Sequence, residues 1–295
     1  MLAIDVYNKT ASLDAKFSIL IPTWNNLPYL KLCIESIEKN SFFSHQILLF
    51  VNDGSDGSLN WVRNSKYAYA HSPENVGVCK ALNTLSSLVQ TEYILYLNDD
   101  MYVGKDWDKY IFDAIEKRSD PYFYYSGTMV EYEDFGNKVL LAPYDFGRTA
   151  DKFEEGKFLD FSSNNILKED WFGACWPPSI VHKKLWDEVG GYDEAYSPGF
   201  YSDPDFAMKL WMAGVRDFKG IGKSLVYHFK CKSTGRVVRN NGRKTFAQKW
   251  GMPSSFFYKD VLLMGQKYDG NKVLKFPSWH KVMFAKLKAF IISIG

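Results

Sequence analysis

Residues Tyr93 to Val103, YILYLNDDMYV, place two carboxylates, Asp99 and Asp100, directly after a short apolar run. A run of about five apolar residues suits a strand covered on both faces, and open α/β sheets hold ligands in the crevice beyond the carboxyl ends of their strands. Acids at that place suit a hard divalent cation gripping a phosphate. An Asn-Asp pair also makes ordinary turns, so the junction alone leaves both readings open. A second acidic segment, Tyr201-Ser202-Asp203-Pro204-Asp205-Phe206, opens a predicted helix with Ser or Asp as its cap and with Phe206, Leu210 and Met212 turned partly inward. Capping and macrodipole complementarity account for one Asp there. Aromatic residues crowd the same region, among them Trp171, Phe172, Trp176, Tyr196, Phe200 and Tyr201. Flat rings with polar tips suit a sugar, although many such rings serve only the core.

These groups need elements to position them. FSILI (Phe17 to Ile21) reads as a buried strand ending at Pro22-Thr23-Trp24-Asn25-Asn26, and Leu30, Ile34 and Ile37 recur at helical spacing after Pro28. QILLFV (Gln46 to Val51) is a second strand, ending on Asn52-Asp53-Gly54, and completes a βαβ unit with a right-handed crossover. Ala70 to Asn83, AYAHSPENVGVCKALN, passes through a turn into a helix beginning near Gly77. Three successive loops then share the edge that carries Asn98 to Asp100. Residues 120–165 match no pattern and are expected to supply a strand, a hairpin and loops.

The 295 residues, 46% of them hydrophobic, can bury a substantial core. Cys33, Cys79, Cys175 and Cys231 form no CxxC pair, so neither a zinc site nor a disulfide scaffold is indicated and reduced thiols are the default. Asp5, Lys9, Asp14 and Lys16 interrupt any signal-peptide core, and no stretch reaches the roughly eighteen apolar residues of a membrane span. A cytoplasmic protein is expected. The net charge of +2 hides a division: residues 1–227 carry 22 Lys and Arg against 32 Asp and Glu, whereas residues 228–295 carry 14 against two. Such asymmetry points to an anionic surface or ligand for the C-terminal segment, or to a solvated face offsetting the acidic body. It contains no recognisable nucleic-acid motif, and no nucleic-acid partner is expected.

The ordered series SILIPTWNN, VNDGSDGS, ENVGVCKALN and YLNDDM resembles the nucleotide-sugar half of glycosyltransferase family 2, inverting enzymes of GT-A fold. Gly173 to Gly214, GACWPPSIVHKKLWDEVGGYDEAYSPGFYSDPDFAMKLWMAG, is similar to the acceptor half, and VYHFKCKST (Val226 to Thr234) to the segment that closes the site. The likeness covers roughly residues 16 to 235. It implies an α/β fold with a Rossmann-like, mostly parallel sheet flanked by helices and a basic helical C-terminal extension. The expected division is a catalytic domain over 1–235, with a nucleotide-sugar half at about 16–119 and an acceptor half at about 120–235, followed by the extension at 236–295.

The resemblance also implies roles. Pro22 and Thr23 would line the base and ribose, and Asp53 would accept a hydrogen bond from a base N–H, although Asp53-Gly54 is also a turn. Asn75, Gly77 and Lys80 match the stretch approaching the ribose and phosphates; Lys80 is otherwise an exposed helical lysine where Arg is the more usual family residue. Asn98-Asp99-Asp100 aligns with the DXD motif, making Asn98 and Asp99 donor contacts and Asp100 the ligand of Mn²⁺ or Mg²⁺. Asn98 stands where the first Asp often sits and removes one charge. His228 matches a position where some members supply a further ligand or a diphosphate contact; a structural histidine is the alternative. The family pattern Glu-Asp-x-Asp here has Ser202 in place of Glu, leaving Asp203 as the catalytic base. Asp205 would support the helix start or touch the acceptor, with Trp176 and Tyr201.

The tail from Phe276 carries Trp279, Met283, Leu287, Phe290 and Ile294 at helical spacing, with Lys281, Lys286 and Lys288 interspersed. It reads as an amphipathic helix that either packs on the catalytic domain or lies on an anionic membrane from the cytoplasmic side. The implied activity is metal-assisted inverting transfer of a sugar from a nucleotide-diphosphate donor to a hydroxyl of a glycan or lipid-linked glycan. A nucleotidyltransferase would show a basic, glycine-rich loop that Ile21 to Asn26 lacks, and a glycoside hydrolase would need no nucleotide subsite. A catalytically silent sugar-nucleotide binding module remains the non-enzyme alternative, on the Asn98 and Ser202 departures.

Overall fold

The computed structural model describes residues 4–164, 169–231 and 238–294. Its strands are β1 (Asp5–Tyr7), β2 (Phe17–Trp24), β3 (Gln46–Asn52), β4 (Ala68–Ser72), β5 (Tyr93–Tyr96), β6 (Met101–Val103), β7 (Phe123–Val130), β8 (Trp171–Phe172), β9 (Ser179–His182) and β10 (Asp217–His228). They form one sheet in the order β1-β4-β3-β2-β5-β9-β7-β10-β6, with β8 against β10. β4, β3, β2 and β5 run parallel. Beyond them the sheet is mixed, because β9 lies antiparallel to both β5 and β7, and β10 is parallel to β7 but antiparallel to β6.

The parallel strands are apolar on both faces, as strands covered on both sides require. Phe17, Ile19, Ile21, Leu49 and Val51 enter one hydrophobic layer, whereas Leu20, Leu48 and Phe50 enter the opposite one. Helices supply the cover. The α1 helix (Leu27–Asn40) begins with a proline in its first turn and buries Leu30, Cys33, Ile34 and Ile37, the i, i+3, i+4, i+7 face of an amphipathic helix. It is followed by α2 (Ser58–Arg63), α3 (Val78–Ser86) and α4 (Trp107–Ile115). β2 extends past the expected stop at Ile21. Pro22 pairs with Phe50 on one side but lies beyond the last β2–β5 pair, Leu20 with Tyr96, so its missing N–H leaves no ladder bond unmade.

The next helices are α5 (Glu155–Asn164), α6 (Lys183–Val189) and α7 (Ser202–Met212). Residues 120–164 provide β7, an irregular excursion and α5, with no hairpin. Tyr201, at φ 70°, caps α7 without a side-chain hydrogen bond, in place of the expected Ser or Asp. Phe206 and Leu210 are buried, but Met212 at the last turn is 65% exposed, which corrects its expected inward placement.

The basic segment continues with α8 (Gly242–Trp250), α9 (Ser254–Phe256) running into a π-turn over Phe257–Val261, and α10 (Trp279–Ile294). Phe246, Phe257, Val261, Leu262 and Leu274 share one buried cluster with Trp211 and Phe218. α10 packs against α8, burying Ala285 and Ala289 while Trp279, Met283, Leu287, Phe290 and Ile294 stay exposed. No helix among the described residues is long and apolar enough to cross a membrane. All four cysteines are free.

Candidate active site

The first three parallel strands end together, and polar side chains tie their ends to one another. Thr23 Oγ1 donates to Asp99 Oδ2 at 2.6 Å. Asn25 Nδ2 donates to Asp53 Oδ2 at 2.8 Å, and Asn25 Oδ1 accepts from the Gly54 N–H at 3.0 Å. Asn25 and Asp53 both adopt positive φ, 47° and 62°, a conformation that Asn and Asp tolerate better than most residues. The Asn25 hydrogen bond outweighs the effect of burial and lowers the Asp53 pKa, keeping an acceptor at the end of β3. Asn52 Oδ1 accepts from the Val76 N–H at 2.9 Å, fixing the loop that carries Asn75 and Gly77.

In that loop Asn75 Oδ1 accepts from the Gly77 N–H at 2.9 Å. Gly77 has φ +81°, and a Cβ there would come within 3.0 Å of Pro198 Cα. Only glycine permits so close an approach at this φ, and it lets Val78 N–H donate to Pro198 O at 3.0 Å. The loop after β4 is thereby locked onto the turn before α7. Lys80 is directed elsewhere, to Glu194 at 3.3 Å.

Asp100 is nearly buried, 7% exposed, between the ends of β5 and β10. Its Oδ2 accepts from the Cys231 N–H at 2.8 Å and lies 3.5 Å from His228 Nε2. Burial raises its pKa, but His228 and the backbone donor outweigh that and hold it below the usual carboxylate range. His228 Nδ1 sits 2.8 Å from Glu131 Oε1, and Lys230 Nζ is 3.0 Å from Glu131 Oε2. Burial pulls the imidazole pKa down, yet Asp100 and Glu131 push it up to about 9. Below it Tyr102, Phe158, Tyr227 and Phe229 form an apolar layer, so alternation along the strand turns Tyr227 and Phe229 into that layer and His228 away from it.

Among the described residues no group of three or more His, Cys, Asp or Glu is gathered as a metal cage. One carboxylate and one imidazole nevertheless fit a hard cation that takes its remaining ligands from phosphate oxygens and water. Glu131 supplies the carboxylate behind the imidazole that orients a metal-binding histidine. The residues present therefore fit Mg²⁺ or Mn²⁺ held by Asp100 and, once its Nε2 proton is displaced, by His228.

Asp203 stands at the start of α7, partly buried, with Tyr192 Oη donating to its Oδ1 at 3.3 Å. Burial pushes its pKa up to about 7, against a downward pull from the Tyr192 hydroxyl. Ser202 cannot share that position, because its hydroxyl donates back to Gly199 O at 2.7 Å and is buried in the turn. The Tyr96 phenol at the end of β5, raised well above its ordinary pKa first by burial, also feels the charges of Asp203, Asp100 and Asp99. Both acidic segments thus lie within electrostatic reach of one buried phenol.

Trp176 and Tyr201 lie partly exposed near Asp203, Trp176 edge-on to Tyr258 at 5.7 Å. Asp205 does not join them. It is fully buried, accepting from Trp250 Nε1 at 2.7 Å and Lys249 Nζ at 3.0 Å, and it binds α8 to α7. Asn240 Nδ2 donates to the carbonyls of Tyr196, Ser197 and Phe200, clamping the turn before Asp203. Asn25, Asn52, Glu131 and Asn240 were not singled out from the sequence; Glu131 alone carried a signal, an acid where the buried run Phe123–Val130 ends. The part of the closing segment at 232–234 lies outside the described residues. A surface hollow of about 800 Å³ lined by Lys16, Thr91 and His182 lies at the opposite ends of the strands and holds none of these groups.

The chain matches the sequence model for Glycosyl transferase family 2 over residues 18–189. A comparison with curated sequences gives no match. Its backbone is similar to S. aureus TarS 1-349 in complex with UDP, at 17% identity and TM-score 0.51, covering 72% of this chain and 60% of that one. The UDP-GlcNAc complex of the same fragment gives 16% identity and TM-score 0.54, with 79% and 66% covered. GalNAc-T7 with UDP, GalNAc and Mn²⁺ gives 13% identity and TM-score 0.57, covering 85% of this chain and 51% of that one. At these identities the likeness is one of fold, GT-A.

Proposed function

The chain belongs to glycosyltransferase family 2, and from that premise we propose that it is an inverting transferase moving a sugar from a nucleotide-diphosphate donor to a hydroxyl of a glycan or lipid-linked glycan. The observation that carries this reading is a pair of differently tuned acids, Asp100 beside His228 and Asp203 beside Tyr192, that both act on the Tyr96 phenol between their segments. UDP-sugars are the first donors to test, because the similar structures hold UDP, UDP-GlcNAc, or UDP with GalNAc.

In this reading Pro22, Thr23 and Asp53 receive the base and ribose, and Asn75 and Gly77 shape the loop toward the phosphates. Asn98 and Asp99 border the diphosphate, with Asp99 steadied by Thr23. A divalent ion held by Asp100 and His228 would supply positive charge against the diphosphate as it leaves. Asp203 takes the proton from the acceptor hydroxyl while that oxygen attacks the anomeric carbon and the bond to the diphosphate breaks on the opposite face. A base with a pKa near 7 suits this task at neutral pH. Trp176 and Tyr201 would hold the acceptor sugar.

The test measures thermal stabilisation by UDP-sugars with and without Mn²⁺, since a ligand of the folded state alone raises apparent stability, together with UDP release in the presence of glycan acceptors. Mn²⁺-dependent stabilisation that disappears in Asp100→Ala supports the donor assignment. Donor binding without any transfer to an acceptor would leave the silent binding module as the better description.

A further inference from the structure

The α10 helix presents its large apolar residues outward and its small ones inward. Ala285 and Ala289 dock on α8, whereas seven large apolar side chains on the same helix are 55 to 73% exposed. At about 100° per residue, these seven fill one arc of roughly 140° running from Trp279 through Phe290, Met283 and Leu287 to Phe284. His280, its ring tilted against that of Trp279 in the first turn, is the one polar side chain within it. Lys286 lies just outside one edge of the arc, and Lys288 and Lys281 outside the other. All three are exposed, with Lys281 also 2.8 Å from Asp260. Residues 270–295 contain five lysines and no Asp or Glu.

We propose that α10 is an interfacial helix that lays this arc into the headgroup layer of an anionic membrane. An apolar arc bordered by lysines is the pattern of a helix lying in that layer, where long lysine stems cover apolar surface while their ammonium groups reach anionic headgroups. A second copy of the chain is a poorer occupant, because α10 pairing with itself would bring lysine edges together with no carboxylate on the helix to answer them. The alanine face fixes the helix to α8, so the body of the protein would be held at the lipid surface. The inference stands apart from the sugar chemistry, since its test contains no donor.

The full chain is sedimented with phosphatidylcholine vesicles and with vesicles containing 30% phosphatidylserine. Binding should be at least tenfold stronger to the anionic vesicles and weaken with added salt. Each lysine near such a surface contributes about 1 kcal/mol, about fivefold in affinity, so Lys286→Glu with Lys288→Glu should reduce binding more than tenfold. Leu287→Glu with Phe290→Glu should bring pelleting to background with circular dichroism and melting temperature unchanged, because both side chains are already exposed. The proposal is overturned by no pelleting at low salt, by undiminished pelleting of the Leu287/Phe290 variant, or by a lipid-independent dimer that this variant dissolves.

Discussion

Asp100 and Asp203 both lie within electrostatic reach of the Tyr96 phenol, and both are drawn out of bulk water, yet burial ends differently for each. Asp100 faces the His228 imidazole and a backbone N–H, and its pKa falls. Asp203 has a phenol as its hydrogen-bond partner and, among the described residues, no cation beside it, and its pKa rises to about 7. What decides the sign is the partner set, since desolvation raises both. The difference fits a division of labour in which one carboxylate must stay ionised to hold positive charge and the other must exchange a proton near neutral pH.

The sharpest way to break this division is to remove each acid in turn. Asp203→Asn keeps the shape of the helix start and removes the base, so transfer should fall roughly 10²-fold or more while donor affinity persists. A variant with near-normal turnover places the base elsewhere. Asp100→Ala should instead abolish Mn²⁺-dependent stabilisation by donor, leaving the protein folded.

The raised pKa makes a second prediction with a definite sign. An unfolded Asp titrates near 3.9, so below that pH Asp203 is protonated in both states and costs nothing. As pH rises from about 4 toward 7 the folded state holds a proton that the unfolded state has lost, and stability declines; the full cost is present above pH 7. Asp203→Asn should therefore melt higher than the parent at pH 8, by about 1 to 3 kcal/mol, and no higher at pH 4. Equal gains at both pH values would show that the carboxyl is not raised. Transfer by the parent should rise with pH through about 7 and level off.

A smaller effect is expected behind His228. Glu131→Gln leaves a hydrogen-bond acceptor for Nδ1 but removes the charge, and should weaken Mn²⁺-dependent donor binding about tenfold, with metal-free binding of UDP unchanged. An equal loss with and without Mn²⁺ would make Glu131 a fold residue only.

The same contrast explains what was legible in the sequence. Asn98 to Asp100 could be read because apolar runs stop where strands end, and β5 ends at Tyr96. Asp203 and Asp205 lie two residues apart on one helix start, and in the sequence only the family pattern told them apart. What separates them is Trp250 and Lys249, more than forty positions away, which enclose Asp205. Asn240 was invisible for a similar reason, since its value lies in three carbonyls that converge on it only in the folded chain. In α10 the periodicity was plain, but the inward face belongs to Ala285 and Ala289. Hydrophobicity alone would have turned Leu287 and Phe290 inward.

The finest test of the comparison changes neither acid. Tyr192 Oη donates to Asp203 Oδ1 at 3.3 Å, and this hydrogen bond lowers a pKa that burial raises. Tyr192 is itself buried, with its ring stacked on Phe206 at 4.5 Å, so Tyr192→Phe keeps the packing and deletes one hydroxyl. Without that donor the ionised form of Asp203 is less favoured. The pH dependence of transfer should then move upward by a few tenths of a unit to about one unit, with loss of rate at pH 6.5 and little at pH 8.5. A general packing defect would lower the rate at both pH values. A downward shift would mean that Tyr192 acts on a group other than Asp203, and the contrast with Asp100 would need another cause.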